Sequence, residues 1–240
     1  MTTSRKALVL CAMLLFASHT SGASDSDFSE VFEEGNFPAS SHGLIWSDQN
    51  NVTHFGQMYY PATTQGTATP IDNTSGPYPL LIWIGADGEA NDQYDWLGMY
   101  LAEAGYITIV LPPDWNSADT QNQCLSILYL WYRLEYNHNN GSFQGDPENM
   151  RDSFDLDHWG IGGHGLGAKQ AAQCQMILSG AWSEFVALPL PTALVALGLE
   201  NVNTDITDES LGPSPEPGMG LYLTGTLDNL AKANTNVEQW

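Results

Sequence analysis

The residues able to do chemistry are few and unevenly placed. Glycines fill every second position of Gly163-His164-Gly165-Leu166-Gly167, between an apolar run and a stretch of helical period. Such spacing marks a backbone that must turn where side chains have no room. Just upstream, Asp152, Asp155, Asp157 and His158 form an acidic cluster whose oxygens suit a hard cation such as calcium. The plainer reading of the cluster is an acidic turn before a strand. His42, His54, His138 and His158 show no zinc-type spacing, so no metal site is expected, and no cofactor is implied. Trp83, Trp96, Trp115 and Trp131 read as core or pocket wall.

Several elements must position these residues. Short alternating runs between Ser41 and Tyr60 predict an antiparallel hairpin or edge pair, followed by a loop rich in Thr, Gly and Pro. Tyr78–Ile84 and Ile107–Leu111 are apolar runs of the kind buried on both faces of a sheet. Between them, Tyr94, Leu97 and Leu101 recur at helical spacing over Tyr94–Ala104, and Gly105 stops the helix. The period returns over Asp119–Tyr136, ahead of a polar loop with Asn139-Asn140-Gly141. Trp159–Gly163 predicts a short strand, Leu166–Leu178 a helix, and Thr192–Leu199 and Leu221–Thr224 further strands. Strands alternating with helices imply an α/β fold, mostly parallel, with an antiparallel start and helices on both faces.

Composition bounds the function classes. Residues 1–23 read as an export signal, with Arg5 and Lys6, an apolar run from Ala7 to Ala17 and Ser21-Gly22-Ala23, so the protein is expected to be secreted or extracytoplasmic. That run is too short to span a bilayer, and no later stretch is longer. Residues 24–40 form a polar segment, and residues 41–240 are expected to make one domain. Beyond the leader only Arg133, Arg151, Lys169 and Lys232 stand against 28 acids, a balance that repels nucleic acid and anionic membrane surfaces. Cys124 and Cys174 remain as an even pair in a chain bound for an oxidising compartment, where both a bridge and two separate buried thiols stay open. Asn51, Asn73 and Asn140 head glycosylation sequons.

The run Trp159-Gly160-Ile161-Gly162-Gly163-His164-Gly165-Leu166-Gly167-Ala168 resembles the nucleophile elbow of α/β-hydrolases, Gly-x-Ser-x-Gly. The segments Tyr78–Gly85, Leu101–Tyr106 and Leu221–Asp228 follow in the family's order. The closest branch is similar to dienelactone hydrolases, chlorophyllases, platelet-activating-factor acetylhydrolases and bacterial polyester hydrolases. In that resemblance Gly163 and Gly167 are the elbow glycines, and Gly165 stands where the serine nucleophile belongs. Asp228 matches the acid, and the N–H groups of Leu166 and Ala86 match the oxyanion donors. His164 precedes the nucleophile position and reads as structural. The helices that carry Cys124 and Cys174 would share one face of the sheet, which allows a disulfide between them and leaves two separate buried thiols as the equal alternative. The family's histidine would lie past Trp240, so the sequence is expected to be C-terminally incomplete.

Three functions follow from the resemblance. The chain is a carboxylic-ester hydrolase relative disabled by Gly165, or an active esterase whose sequence here is partial or altered, or a ligand-binding protein on a hydrolase scaffold. A small ester or apolar molecule is the expected partner in each.

Overall fold

A computed structural model of the chain describes residues 35–86, 90–112, 120–143, 145–179, 189–197 and 219–223. The export signal lies outside the described residues, as do Asp228 and Trp240.

The alternating segment forms β1 (Ala39–Ser47) and β2 (Thr53–Pro61), antiparallel from Ala39 opposite Pro61 to Ser47 opposite Thr53. Asp48 fixes their turn: its carboxylate accepts the N–H groups of Asn50 (2.8 Å) and Val52 (3.0 Å). β1 starts at Ala39 rather than Ser41, because Ala39 is already buried. The loop expected to be irregular contributes β3 (Gly66–Thr67), which pairs parallel with β1 and partly covers that edge.

The two apolar runs are β4 (Tyr78–Ile84) and β5 (Ile107–Leu111), parallel neighbours from Leu80 opposite Ile107 to Ile84 opposite Leu111. A 3-10 turn over Asn91–Tyr94 leads into α1 (Asp95–Glu103), and Gly105 closes it at φ 89°. The next helix, α2 (Thr120–Asn140), continues past Tyr136, where its end was expected. Nothing before Gly141, at φ 89°, breaks it, and the Asn137 side chain is occupied by Asp146 (2.8 Å) and the Phe143 N–H (3.0 Å) instead of competing with the helix backbone.

The next strand, β6 (Phe154–His164), is longer than the expected Trp159–Gly163 because it pairs with β4 in two pieces. Phe154 and Asp155 face Tyr78 and Pro79, and pairing resumes with Trp159 opposite Leu80. Asp155 closes the irregularity by accepting the His158 N–H at 3.1 Å. Asp155, Asp157 and His158 therefore lie at the irregularity of β6 and Asp152 in the turn before it, and no group of three metal-ligating side chains is found among the described residues. Helix α3 (Leu166–Ser179), β7 (Ala193–Leu197) and β8 (Met219–Leu223) follow.

The strands make one mixed, mostly parallel sheet in the order β3-β1-β2-β5-β4-β6-β7-β8. One face buries Leu44, Met58, Leu80, Ile82 and Ile161 with residues of α2 and α3, and the other buries Tyr59, Leu81, Trp83, Val110 and Val195 with residues of α1. Gly98 lets α1 settle on the Tyr59 ring, since a Cβ there would come within 2.7 Å of Cε2. The Tyr59 hydroxyl donates to Asp95 in the first turn of α1, and burial followed by that carboxylate raises its pKa above the ordinary tyrosine value. No helix among the described residues is long and apolar enough to cross a membrane.

Cys124 of α2 and Cys174 of α3 are joined in a disulfide, with a Cα–Cα distance of 5.1 Å, in the core of the face that these helices cover. The bridge closes a loop of 50 residues, and Cys124→Ala with Cys174→Ala is expected to lower the unfolding free energy by about 2–4 kcal/mol in denaturant titrations. A second expectation concerns His42, on β1, whose Nε2 lies 3.8 Å from Asp146. Burial lowers its pKa from 6.5, Asp146 pulls the other way, and Arg133 adds to the lowering. The folded state thus binds the proton less readily than the unfolded chain does. This contribution is intact above 6.5 and is lost as the pH falls toward the folded value. Stability measured from about pH 7.5 to about pH 5 should fall less steeply in His42→Gln than in the parent.

Candidate functional site

Beyond β4 the sheet grows in two directions, with β5 on one side and β6 on the other. Ligands of open α/β sheets bind outside the carboxyl ends of the strands at such a switch point. Gly85 and Ala86 lie at the end of β4, and Gly165 and Leu166 at the end of β6, two strands paired up to Ile84 opposite Gly163. The topology thus gathers Ala86, Gly163, His164, Gly165, Leu166 and Gly167 at one place.

Close approach dictates the glycines. A Cβ on Gly163 would overlap the Gly167 carbonyl and come within 2.7 Å of the Ala168 nitrogen. A Cβ on Gly167 would overlap the Gly85 and Ile84 carbonyl oxygens and come within 2.8 Å of the Ile84 carbonyl carbon. Gly162 is almost as tight, with the Val195 oxygen at 2.9 Å and the Trp83 ring at 3.0 Å. The first turn of α3 therefore rests directly on the backbone at the end of β4.

Gly165 occupies the turn itself, at φ 59°, in the left-handed region. Its N–H donates to the Leu197 carbonyl at the end of β7 (2.8 Å), and its own carbonyl accepts the N–H groups of Ala168 (3.1 Å) and Lys169 (3.2 Å). It thus caps α3 and ties the elbow to the next strand. Leu166 is the first residue of α3, so its N–H has no carbonyl acceptor one turn back within the helix.

The second expected donor is engaged otherwise. The Ala86 N–H donates to the hydroxyl of Tyr94 (2.8 Å), and that hydroxyl lies 3.2 Å from Nδ1 of His164. Tyr94 is buried, and its ring packs edge-on to His164 and against Trp83. His164 is an exposed residue held at one nitrogen rather than a packed structural one. Sequence reasoning placed Tyr94 on a helix face among Leu97 and Leu101 and missed its polar role. The available signal was its chemistry: a buried tyrosine needs a partner for its hydroxyl, and this one begins a helix soon after the end of β4. Trp83 is fully within the core, as expected.

No family model matches this chain, and no curated protein matches it in sequence.

Backbone conformation at Gly165 and close approach at Gly167 rank these two glycines by cost. Gly165→Ala and Gly165→Ser are expected to fold in the same place with a loss of about 1 kcal/mol, the cost of a side chain at positive φ. Gly167→Ala must push α3 off the end of β4 and should lose more, about 1–3 kcal/mol from overpacking alone. Urea midpoints of the three variants against the parent check the order.

Proposed function

We propose that this chain is a secreted α/β-hydrolase-fold protein related to serine carboxylic-ester hydrolases, in which the elbow has kept its shape and lost its nucleophile, and that it binds a small ester or apolar molecule at the switch point rather than cleaving it. One observation carries the reading. A strand-to-helix turn with glycines required at Gly163 and Gly167 holds, at its apex, a residue at positive φ that has no side chain. The antiparallel start, the parallel remainder and the helices on both faces support the same scaffold.

Hydrolysis through an acyl-enzyme needs an oxygen or sulfur at the apex, and Gly165 supplies none. Loss of a triad serine costs on the order of 10⁶ in turnover in a well-studied protease, and what remains there comes from the oxyanion donors and binding. Here the Ala86 N–H already serves Tyr94, which weakens even that residue of activity.

The protein without its leader is expected to release nitrophenolate from short-chain nitrophenyl esters no faster than a heat-killed control. Turnover of order 1 s⁻¹ that a serine-directed inhibitor abolishes would overturn the proposal.

A further inference from the structure

The sequon Asn140-Gly141-Ser142 has no part at the switch point, and it lies at the end of a helix beside two uncovered rings. Asn140 is the last residue of α2 and is exposed, and Gly141 turns the chain away from the helix at φ 89°. The Asn140 side-chain amide donates to the carbonyl of Tyr136, one turn back, at 2.9 Å. That bond uses one of the two amide hydrogens. Residues four apart share a helix face, so the Tyr136 side chain is a neighbour of Asn140 as well. The Tyr136 ring meets that of Phe143 edge-on, with centres 6.2 Å apart. Tyr136 is 52% and Phe143 49% exposed, although Arg133 lies 4.8 Å from the centre of the Phe143 ring. Rings of this size gain by being covered. Asn73 heads an exposed sequon too, but its neighbours Asp72, Thr74 and Ser75 are polar and offer no ring to cover.

We infer that Asn140 is an acceptor for an N-linked glycan, and that the innermost sugar of that glycan rests on the rings of Tyr136 and Phe143. A sugar ring has faces of C–H groups that pack on aromatic rings while its hydroxyls stay in water. The transfer draws on a lipid-linked sugar phosphate: the bond from Nδ2 to C1 of the sugar forms, the bond from C1 to the phosphate oxygen breaks, the lipid phosphate leaves with that electron pair, and the amide gives up one hydrogen as a proton. One hydrogen remains on the nitrogen, as many as the bond to Tyr136 uses. In the folded loop the Ser142 hydroxyl donates to the Pro147 carbonyl, which puts the transfer before that loop closes, during export. An uncharged cover suits a chain with a net charge of −22, since it hides the rings without adding to the repulsion. The inference rests on the secreted part of the reading proposed above, because the donor lipid is met along the export route.

The experiment expresses the whole chain in cultured animal cells, once with its own leader and once with a leader of proven function, and maps Asn140 by mass spectrometry in the protein that enters the export route. Most of that protein should carry sugar at Asn140, Ser142→Thr should keep it, and Asn140→Gln should lose it. With the glycan trimmed to its innermost sugar, the urea midpoint should lie a few tenths molar above that of Asn140→Gln. When Tyr136→Ser and Phe143→Ser, both exposed substitutions, are present in each member of the pair, the difference should vanish, because the surface that the sugar covers is gone. Exported protein that is bare at Asn140 overturns the inference and leaves the secreted reading standing. A chain that enters the route only with the second leader overturns the secreted reading, while its Asn140 still decides the inference. A midpoint difference that survives the loss of both rings, or is absent from the parent pair, overturns the packing on Tyr136 and Phe143 alone.

Discussion

Helix α3 lies against the end of β4 with backbone on backbone, and the arrangement of the switch point depends on that approach. Two glycines in the first turn and the strand before it leave no atoms in the gap, so the carbonyls of Ile84 and Gly85 become the floor on which the helix stands. Seating α3 there brings its Ala171 and Ala172 into the same core as Leu80, Ile82 and Ile161, and sets Cys174 against Cys124 of α2. It also forces the chain to reverse within a single residue between β6 and α3, which puts Gly165 into the left-handed region. The turn is thus explained by packing before any chemistry is invoked.

Charge constrains the rest of the molecule differently. A chain with 28 acids and six basic residues repels itself when compact, so the placement of each cation has consequences. Arg133 is used internally: its guanidinium meets Asp146 at 2.6 Å, donates to the Ile45 carbonyl at 2.7 Å, and lies 4.8 Å from the centre of the Phe143 ring. One planar group joins α2, the edge hairpin and the loop before β6, a task for which the several donors of arginine suit it better than lysine. Asp146 is buried there because it also accepts from Asn137, so the carboxylate is paired rather than left as an isolated buried charge. His42 stands beside this pair on β1, and its titration reports on that packing.

Much of this architecture is legible in the sequence, for reasons that differ by element. β4 and β5 are apolar throughout and bounded by Gly85 and Pro112, so their limits follow from composition alone. The elbow glycines are legible because only a close approach explains glycine at alternate positions. What escapes is what depends on pairing. The first piece of β6 is a buried Phe154 followed by residues with acidic and exposed positions among them, and it counts as strand only because β4 extends far enough back to pair with Phe154 and Asp155. The end of α2 escapes because Asn139 and Asn140, turn-formers in sequence, are held in the helix until Gly141. The polar link from Ala86 through Tyr94 to His164 joins residues 78 positions apart in the chain, and no local pattern encodes it.

The turn at Gly165 keeps its shape without any side chain at its apex. With a side chain at the apex, a positive φ costs about 1–3 kcal/mol, and the surrounding packing must hold the residue there. Glycine adopts the same φ without that cost, while the bonds from its N–H to Leu197 and from its carbonyl to α3 remain as they would be with any residue. Nothing that seats α3 involves a side chain at position 165, so the absence of one at Gly165 leaves Gly163 and Gly167 under the same steric demand. The backbone groups at the ends of β4 and β6 then keep their relative positions for reasons of packing alone. A surface ordered in this way holds its backbone groups in a fixed arrangement at no further conformational cost, and such preorganisation is what lowers the cost of binding in general.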